Sequence, residues 1–308
     1  MSRRSGGADW IPPAIDKAIE STDSTFRIPY DGSLKSVPDQ FVPPEPWEES
    51  HPKAKKARRK LRDLQSALHA SRRFSVLTIF QALDAAGKDG AIREVFQGVN
   101  PSGLHVTSFK RPSLREVSHD FLWRTTLTLP EDGQIGIFNR SYYEEVLVVR
   151  VHPEFLNAQY AGHPPDPEQL WQARYRAIRE HELHLARSNT LVLKFWLNVS
   201  PARQAKRFIE RLDHPEKLWK FSAGDVKEAR LREAYDGAVL EMFNETSRPW
   251  APWFCIPADE RWYTRWKIAE IIRLSISALP LRFPEMDSLS EAEIDDLRSE
   301  LRARLDGD

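Results

Sequence analysis

The chain has 308 residues, and its 45 Lys and Arg are balanced by 45 Asp and Glu, so the formal net charge is zero. That balance excludes a general attraction to nucleic acid or to an anionic membrane, and any polyanion must be met by local clustering of charge. A single cysteine, Cys255, excludes an internal disulfide framework and fits a reducing compartment.

Residues 1–50 are interrupted by Pro12, Pro13, Pro29, Pro38, Pro43, Pro44 and Pro46 and read as an extended arm, on the surface or partly disordered. The opening MSRRSGGADWIPP lacks the apolar core of a signal peptide, and nowhere is there an uncharged apolar run of about eighteen residues. The expectation is a soluble cytoplasmic protein. Residues 53–62, KAKKARRKLR, set seven basic residues on a helix that continues through Leu64 and Leu68. A solvated helix face is preferred here to a polyanion-binding patch.

Residues 76–80 form a β-branched apolar run that reads as a buried strand. It breaks at Asp84, Ala85, Ala86, Gly87, Lys88, Asp89 and Gly90, and helical spacing resumes at Ile92, Val95 and Phe96. In a strand, tight loop and helix, backbone N–H groups and the helix N-terminus can cradle phosphate, and a lysine adds a full charge. Here Lys88 and the N–H groups of residues 86–90 would grip phosphate oxygens. The P-loop pattern G-x-x-x-x-G-K-[ST] is nevertheless unmatched, because Ala82 replaces the first Gly and Asp89 the Ser/Thr. An ordinary strand-to-helix turn with an exposed lysine is the other reading. Asp84 favours the phosphate loop, since a carboxylate beside phosphates is repulsive unless a cation separates them. Mg²⁺ is therefore predicted, or Mn²⁺ in its place, with Asp84 and Asp89 as ligands.

Residues 105–110 read as a second strand, 114–127 as a helix, and 133–139 as a third strand. Asn139 and Arg140 then stand at a strand's C-terminal end, where α/β sheets bind ligands. Asn139 offers an oxygen without charge where a P-loop kinase usually carries a metal-organising Asp. Ser141 is expected to cap a helix through Val149, with Glu144 completing a capping box. Residues 152–167 read as a surface excursion. An amphipathic helix over 168–187 would turn Leu170, Ala173, Ile178 and Leu185 to the core.

Residues 190–199, TLVLKFWLNV, form the clearest buried strand after the first, and Ser200 with Pro201 starts a helix. Arg203, Arg207 and Arg211 drift only about 40° per step around it and form one stripe suited to repeated phosphate contacts. Lys217 and Lys220 continue the positive charge, whereas Glu210, Asp213 and Glu216 would equally suit a solvated face. A helix over 226–245, a strand over 253–257 and a helix over 262–279 follow. Five strands alternating with helices predict a parallel sheet covered on both faces. Cys255 reads as a core residue, and Trp250, Trp253, Trp262 and Trp266 as core or interface aromatics. The nine histidines show no zinc-ligand spacing. At the end, Ser290 and Glu293 form a capping box ahead of a stripe of Ile294, Leu297, Leu301 and Leu305, expected to dock on its own core.

The runs DAAGKDGAI and GVNPSG, FNRSYYEEVLVVRVHPE, RFIERLDHPEKLWKFSAGD and APWFCIPADERWYTRW together resemble the family-2 polyphosphate kinases over roughly residues 50–280. The resemblance implies an α/β, P-loop kinase-like three-layer sandwich with a helical lid. Domain 51–284 carries that lid at about 200–225, between the arm and a tail over 285–308. It implies reversible phosphoryl transfer between inorganic polyphosphate and AMP or ADP, served by Asp84, Lys88 and Arg140, and a homodimer or tetramer. Asn139 looks like the subgroup that accepts nucleoside monophosphates as well as diphosphates, and it joins Asp84 and Asp89 as a metal ligand. Arg207 and Arg211 match the family's lid arginines. Arg203 lies outside the match, and Lys217 and Lys220 extend the polyphosphate contact. Asn100, Gly103, Lys110, Asp120, Arg124, Glu144 and Glu145 are the candidate nucleotide contacts, each with a core or surface alternative. The rival readings are a conventional ATP-dependent kinase, which would carry Gly at 82 and Ser or Thr at 89, and a non-catalytic polyphosphate-binding protein, which would have a broken loop.

Overall fold

The computed structural model describes residues 10–22, 25–44, 46–160, 162, 164–285 and 289–306. Five strands form the sheet: β1 (Ser75–Gln81), β2 (Leu104–Ser108), β3 (Ile135–Asn139), β4 (Thr190–Asn198) and β5 (Trp253–Pro257). All pairings are parallel, in the order β2-β3-β1-β4-β5. β1, β4 and β5 are buried along their whole length, as unbroken apolar runs require when helices cover both faces. One covering layer holds α2 (Trp47–Ser71), α3 (Lys88–Val95) and the helix Arg261–Ser277. The other holds the helices Pro167–Arg187 and Arg232–Thr246. Strand order reverses at β1, which opens a crevice at the C-terminal strand ends.

Polar side chains reshape several expected elements. The helix expected over 114–127 is two single turns, Leu114–Val117 and Trp123–Thr126, because Asp120 accepts the Leu122 N–H between them. Ser141 caps a 3₁₀ turn, Tyr142–Glu145, by accepting from Tyr143, and Glu144 turns to Arg140 instead of closing a capping box. The helix expected over 226–245 is divided into Ala223–Ala229, capped by Ser222, and Arg232–Thr246. In Pro167–Arg187, Ala173 is exposed while Arg174 and Glu182 are buried with the apolar stripe.

The N-terminal segment is no loose arm. Its helix α1 (Pro13–Glu20) buries Ile15, Ala18 and Ile19. Ile28 then donates to Trp253 O at 2.9 Å and Cys255 donates to Phe26 O at 2.8 Å, covering the free side of β5. The C-terminal helix Glu291–Asp306 has its expected capping box, yet Leu297, Leu301 and Leu305 are 45%, 59% and 79% exposed, so the stripe does not dock on the core.

In the middle of β4, Lys194 meets Glu182 at 2.7 Å with both side chains wholly buried. Tyr142 and Tyr143 donate their hydroxyls to the same carboxylate, and Lys194 also donates to Thr246 O. Burial pulls the lysine pKa down and the carboxyl pKa up, and the ion pair and hydrogen bonds offset that cost.

Candidate active site

The loop between β1 and α3 is held in a conformation that an unconstrained chain avoids. Gly87, the N-cap of α3, has φ of 98°, and Ala85 has φ of 61°. Placing a non-glycine residue in the left-handed region costs about 1–2 kcal/mol, so something must hold Ala85 there. Arg207 does: its Nη1 donates to Ala85 O at 3.0 Å and Ala86 O at 2.7 Å, while Nη2 reaches Ala258 O at 2.7 Å. Gln204, one turn earlier, donates to Asp84 O at 2.9 Å. The helix Pro201–Leu212, expected to be a lid, is thus clasped to the loop and to the end of β5. Among the described residues Arg207 Nε is buried with no hydrogen-bond partner, leaving one donor unspent beside the loop.

Ala86 donates its N–H to Leu83 O, so it is not free to grip a ligand as expected. Among the described residues the N–H groups of Gly87, Lys88, Asp89 and Gly90 have no protein acceptor. They form the open N-terminus of an eight-residue helix, an arrangement that favours anions. Lys88 is buried and donates to Ala82 O at 2.9 Å. Burial first, then the neighbouring Arg140, pulls its ammonium down to about 8.

Arg140 also has positive φ, 65°, directly after β3. Its guanidinium bridges Asp84 at 2.8 Å and Glu144 at 2.9 Å, and these carboxylates raise its pKa. Asn139 Nδ2 donates to Asp89 Oδ1 at 2.8 Å. Each of Asp84 and Asp89 therefore keeps a second carboxylate oxygen without a hydrogen bond among the described residues. Two such oxygens beside a phosphate loop fit Mg²⁺, which takes one or two carboxylates and completes its shell with substrate phosphates and water. Asn139 would add its amide oxygen.

These groups line one cleft of about 690 Å³, walled by the loop from Asp84 to Gly90, by Lys110, Asn139 and Arg140, and by the lid's Arg207, Arg211, Lys217 and Lys220. Arg211 is anchored there by Lys220 O and Asp225. Arg203 lies outside the lining, where its Nε donates to Asp259 O. A neighbouring hollow of about 200 Å³ shares Asp84 and Arg140 with the cleft and adds Glu144, His152, Glu228 and Tyr235. Asp120, Arg124 and Glu145 line a third hollow, where Arg174 holds Glu145. Asn100 and Gly103 lie at the N-terminal end of β2, away from the strand ends that carry the loop. Asn100 caps a 3₁₀ turn there, and Gly103 packs so close to Gln65 that a Cβ would collide with it.

Sequence reasoning missed Gln204, Arg93, Arg261 and Arg265, the last three of which line the cleft. Arg261 and Arg265 are four apart at the start of the helix after β5, a position equivalent to that of the lid arginines after β4, and that spacing was available in the sequence.

An open helix N-terminus, a buried lysine and a pair of carboxylates are the groups a phosphoryl-transfer site would need, and they name no substrate. The sequence profile of "Polyphosphate kinase 2" matches residues 47–282. The chain is 46% identical over 243 residues to an ADP-polyphosphate phosphotransferase of Rhodopseudomonas palustris, covering 79% of this chain and 84% of that protein. It is 45% identical over 233 residues to an AMP/ADP-polyphosphate phosphotransferase of Meiothermus ruber, covering 76% and 83%. The crystal structure of polyphosphate kinase 2 from Arthrobacter aurescens superposes with a TM-score of 0.80 at 32% identity, over 90% of this chain and 97% of that one. With the profile spanning most of its length and relatives at 45–46% identity, this chain belongs to the polyphosphate kinase 2 family.

Proposed function

We infer that this protein transfers the terminal phosphoryl group of inorganic polyphosphate to AMP and ADP, and catalyses the reverse. The observation that carries this reading is the meeting of Lys88, Asp84 and Arg140 at the junction of two hollows. The donor chain occupies the large cleft, held by Lys88, the free N–H groups of α3 and the lid's Arg211, Lys217 and Lys220. The acceptor phosphate arrives from the smaller hollow and meets it at Arg140, which the two hollows share. Phosphoryl transfer demands alignment and charge stabilisation more than covalent help, and this constellation supplies both. Mg²⁺ held by Asp84 and Asp89 would neutralise charge on the phosphate oxygens. An acceptor that is already an anionic phosphate needs no strong general base.

Incubation with Mg²⁺ and long-chain polyphosphate, offering AMP, ADP, GMP and GDP separately, is expected to yield ADP and then ATP from AMP. Turnover only with ATP as donor would replace this reading with a conventional kinase. Asn139 carries the monophosphate preference. Asn139→Asp would set a second carboxylate against Asp89, where the amide now donates, and is expected to lower the AMP-to-ADP preference about tenfold, the scale of one hydrogen bond to a charged group. Equal loss with both acceptors would reject that role.

The Lys88 ammonium also gives a pH signature. Because its pKa lies near 8 in the free protein, the charged form that binds phosphate is complete below that value and is lost above it. The kcat/KM for polyphosphate should therefore fall as pH rises through about 8, and a profile flat to pH 10 would contradict the assignment.

A further inference from the structure

Arg140 sits in the left-handed region directly after β3, where a non-glycine residue stays only if its surroundings impose it. On one side its N–H donates to Phe80 O of β1 at 3.0 Å. On the other, Ser141 Oγ accepts from Gln81 Nε2 at 3.2 Å, and the 3₁₀ turn Tyr142–Glu145 begins at once. With three residues per turn, consecutive side chains of such a turn point about 120° apart. Tyr142 and Tyr143 nevertheless end on a single atom. Their hydroxyls donate to Glu182 Oε1 at 2.9 and 2.8 Å, with ring centroids 5.0 Å apart.

Two neighbouring residues tied to one buried oxygen fix the turn against rotation about its own axis. Glu182 is itself held, since Lys194 donates to its Oε2 at 2.7 Å and to the Tyr143 hydroxyl at 2.8 Å. All four side chains are wholly buried. Apolar side chains of similar volume would hold a core at least as well as this ion pair, so what the pair and its hydroxyls add is direction. With both tyrosines drawn inward, Glu144 leaves the turn on the cleft side and accepts from Arg140 Nη1 at 2.9 Å. Asp84 accepts from Nη2 at 2.8 Å, which aims the guanidinium at the place where the two hollows meet.

We propose that Glu182, fixed by Lys194, is a positioning residue for phosphoryl transfer, which acts through Tyr142 and Tyr143 to set the turn that aims Arg140. The proposal rests on Arg140 acting in transfer, as inferred above.

The test is the steady-state kinetics of Tyr142→Phe combined with Tyr143→Phe, which keeps both rings and the ion pair. With polyphosphate and ADP saturating, kcat is expected to fall about tenfold, the scale of a slightly misplaced reacting group. KM for polyphosphate is expected to stay unchanged, because Lys88 and the α3 N-terminus are untouched. The readout that separates aim from stability is the same pair of substitutions in an Arg140→Ala background. There the further loss of kcat is expected to be less than about twofold, since no guanidinium remains to be aimed, while the thermal midpoint falls equally in both backgrounds. Tyr142→Phe alone leaves Lys194 all its partners and serves if the pair of changes does not fold. It is expected to lower kcat about threefold with the same dependence on Arg140. A kcat that is unchanged, or that falls equally with and without Arg140, would overturn the positioning role and leave the donor and acceptor assignments standing. Near-unaltered turnover by Arg140→Ala itself would remove Arg140 from the transfer and the positioning role with it.

Discussion

Lys88→Met is expected to reduce phosphoryl transfer about a thousandfold while making the ligand-free protein more resistant to heat. The first effect follows from removing a preorganised, buried charge aimed at phosphate, where one such donor is worth roughly 10²–10³ in rate. The second follows from linkage. The folded-state pKa of about 8 lies below the usual lysine value of 10.5, so folding opposes the charged form at neutral pH. That cost is complete below pH 8, shrinks as pH rises, and has gone by about pH 10.5. Methionine keeps the length of the side chain without the charge. Thermal melts should show a higher midpoint for the variant at pH 7 and convergence of the two proteins near pH 10. Activity near the unaltered level would refute the loop assignment. A lower melting point at pH 7 would refute the claim that the lysine is held there against its own solvation.

The other large effect lies far from the loop. Lys194→Ala leaves the Glu182 carboxylate charged and wholly buried without its cation, and breaking such a pair costs about 3–5 kcal/mol. Removing both charges is milder. In Lys194→Met with Glu182→Gln, the glutamine oxygen still accepts from Tyr142 and Tyr143, and the unmet groups are the Thr246 carbonyl and the new amide NH2. A double-mutant cycle by urea unfolding should therefore return a coupling of about 2–3 kcal/mol. Additive losses would mean that the two charges do not depend on each other.

The sheet was legible because strands buried on both faces must be mainly apolar, and β1, β4 and β5 are, with Lys194 the charged exception. The strand, turn and helix around Asp84, Gly87 and Lys88 were legible from the apolar run before them and the helical spacing after them. The helix ends were harder, because one or two local hydrogen bonds decide them. Asp120 wins a local backbone N–H and divides one helix, and three-residue-spaced bonds from Arg230 to Lys227 O and from Leu231 to Glu228 O divide another, where apolar periodicity alone would continue both. The Lys194 pair was half legible. A lysine inside TLVLKFWLNV demands a buried anion, and Glu182 stands four residues after Ile178 on that helix's apolar stripe, but only packing joins them. Arg207 shows the deeper limit. Its place in an arginine stripe suggested substrate contact, yet two of its three nitrogens are occupied by the carbonyls of residues 85, 86 and 258. No spacing rule announces a side chain whose partners are backbone atoms 121 and 122 positions earlier and 51 positions later in the chain.

The segment that lies along β5 bears on how the protein can be cut down. The family match begins at residue 47, which invites a shorter version starting there. Such a version would lose Phe26 and Ile28, whose backbones satisfy β5, along with the helix that buries Ile15 and Ile19. What remained would present an apolar strand with unanswered hydrogen-bonding groups, a template on which other chains can add and precipitate. Those first residues act as a built-in guard against aggregation, and a minimal enzyme should begin before Pro13.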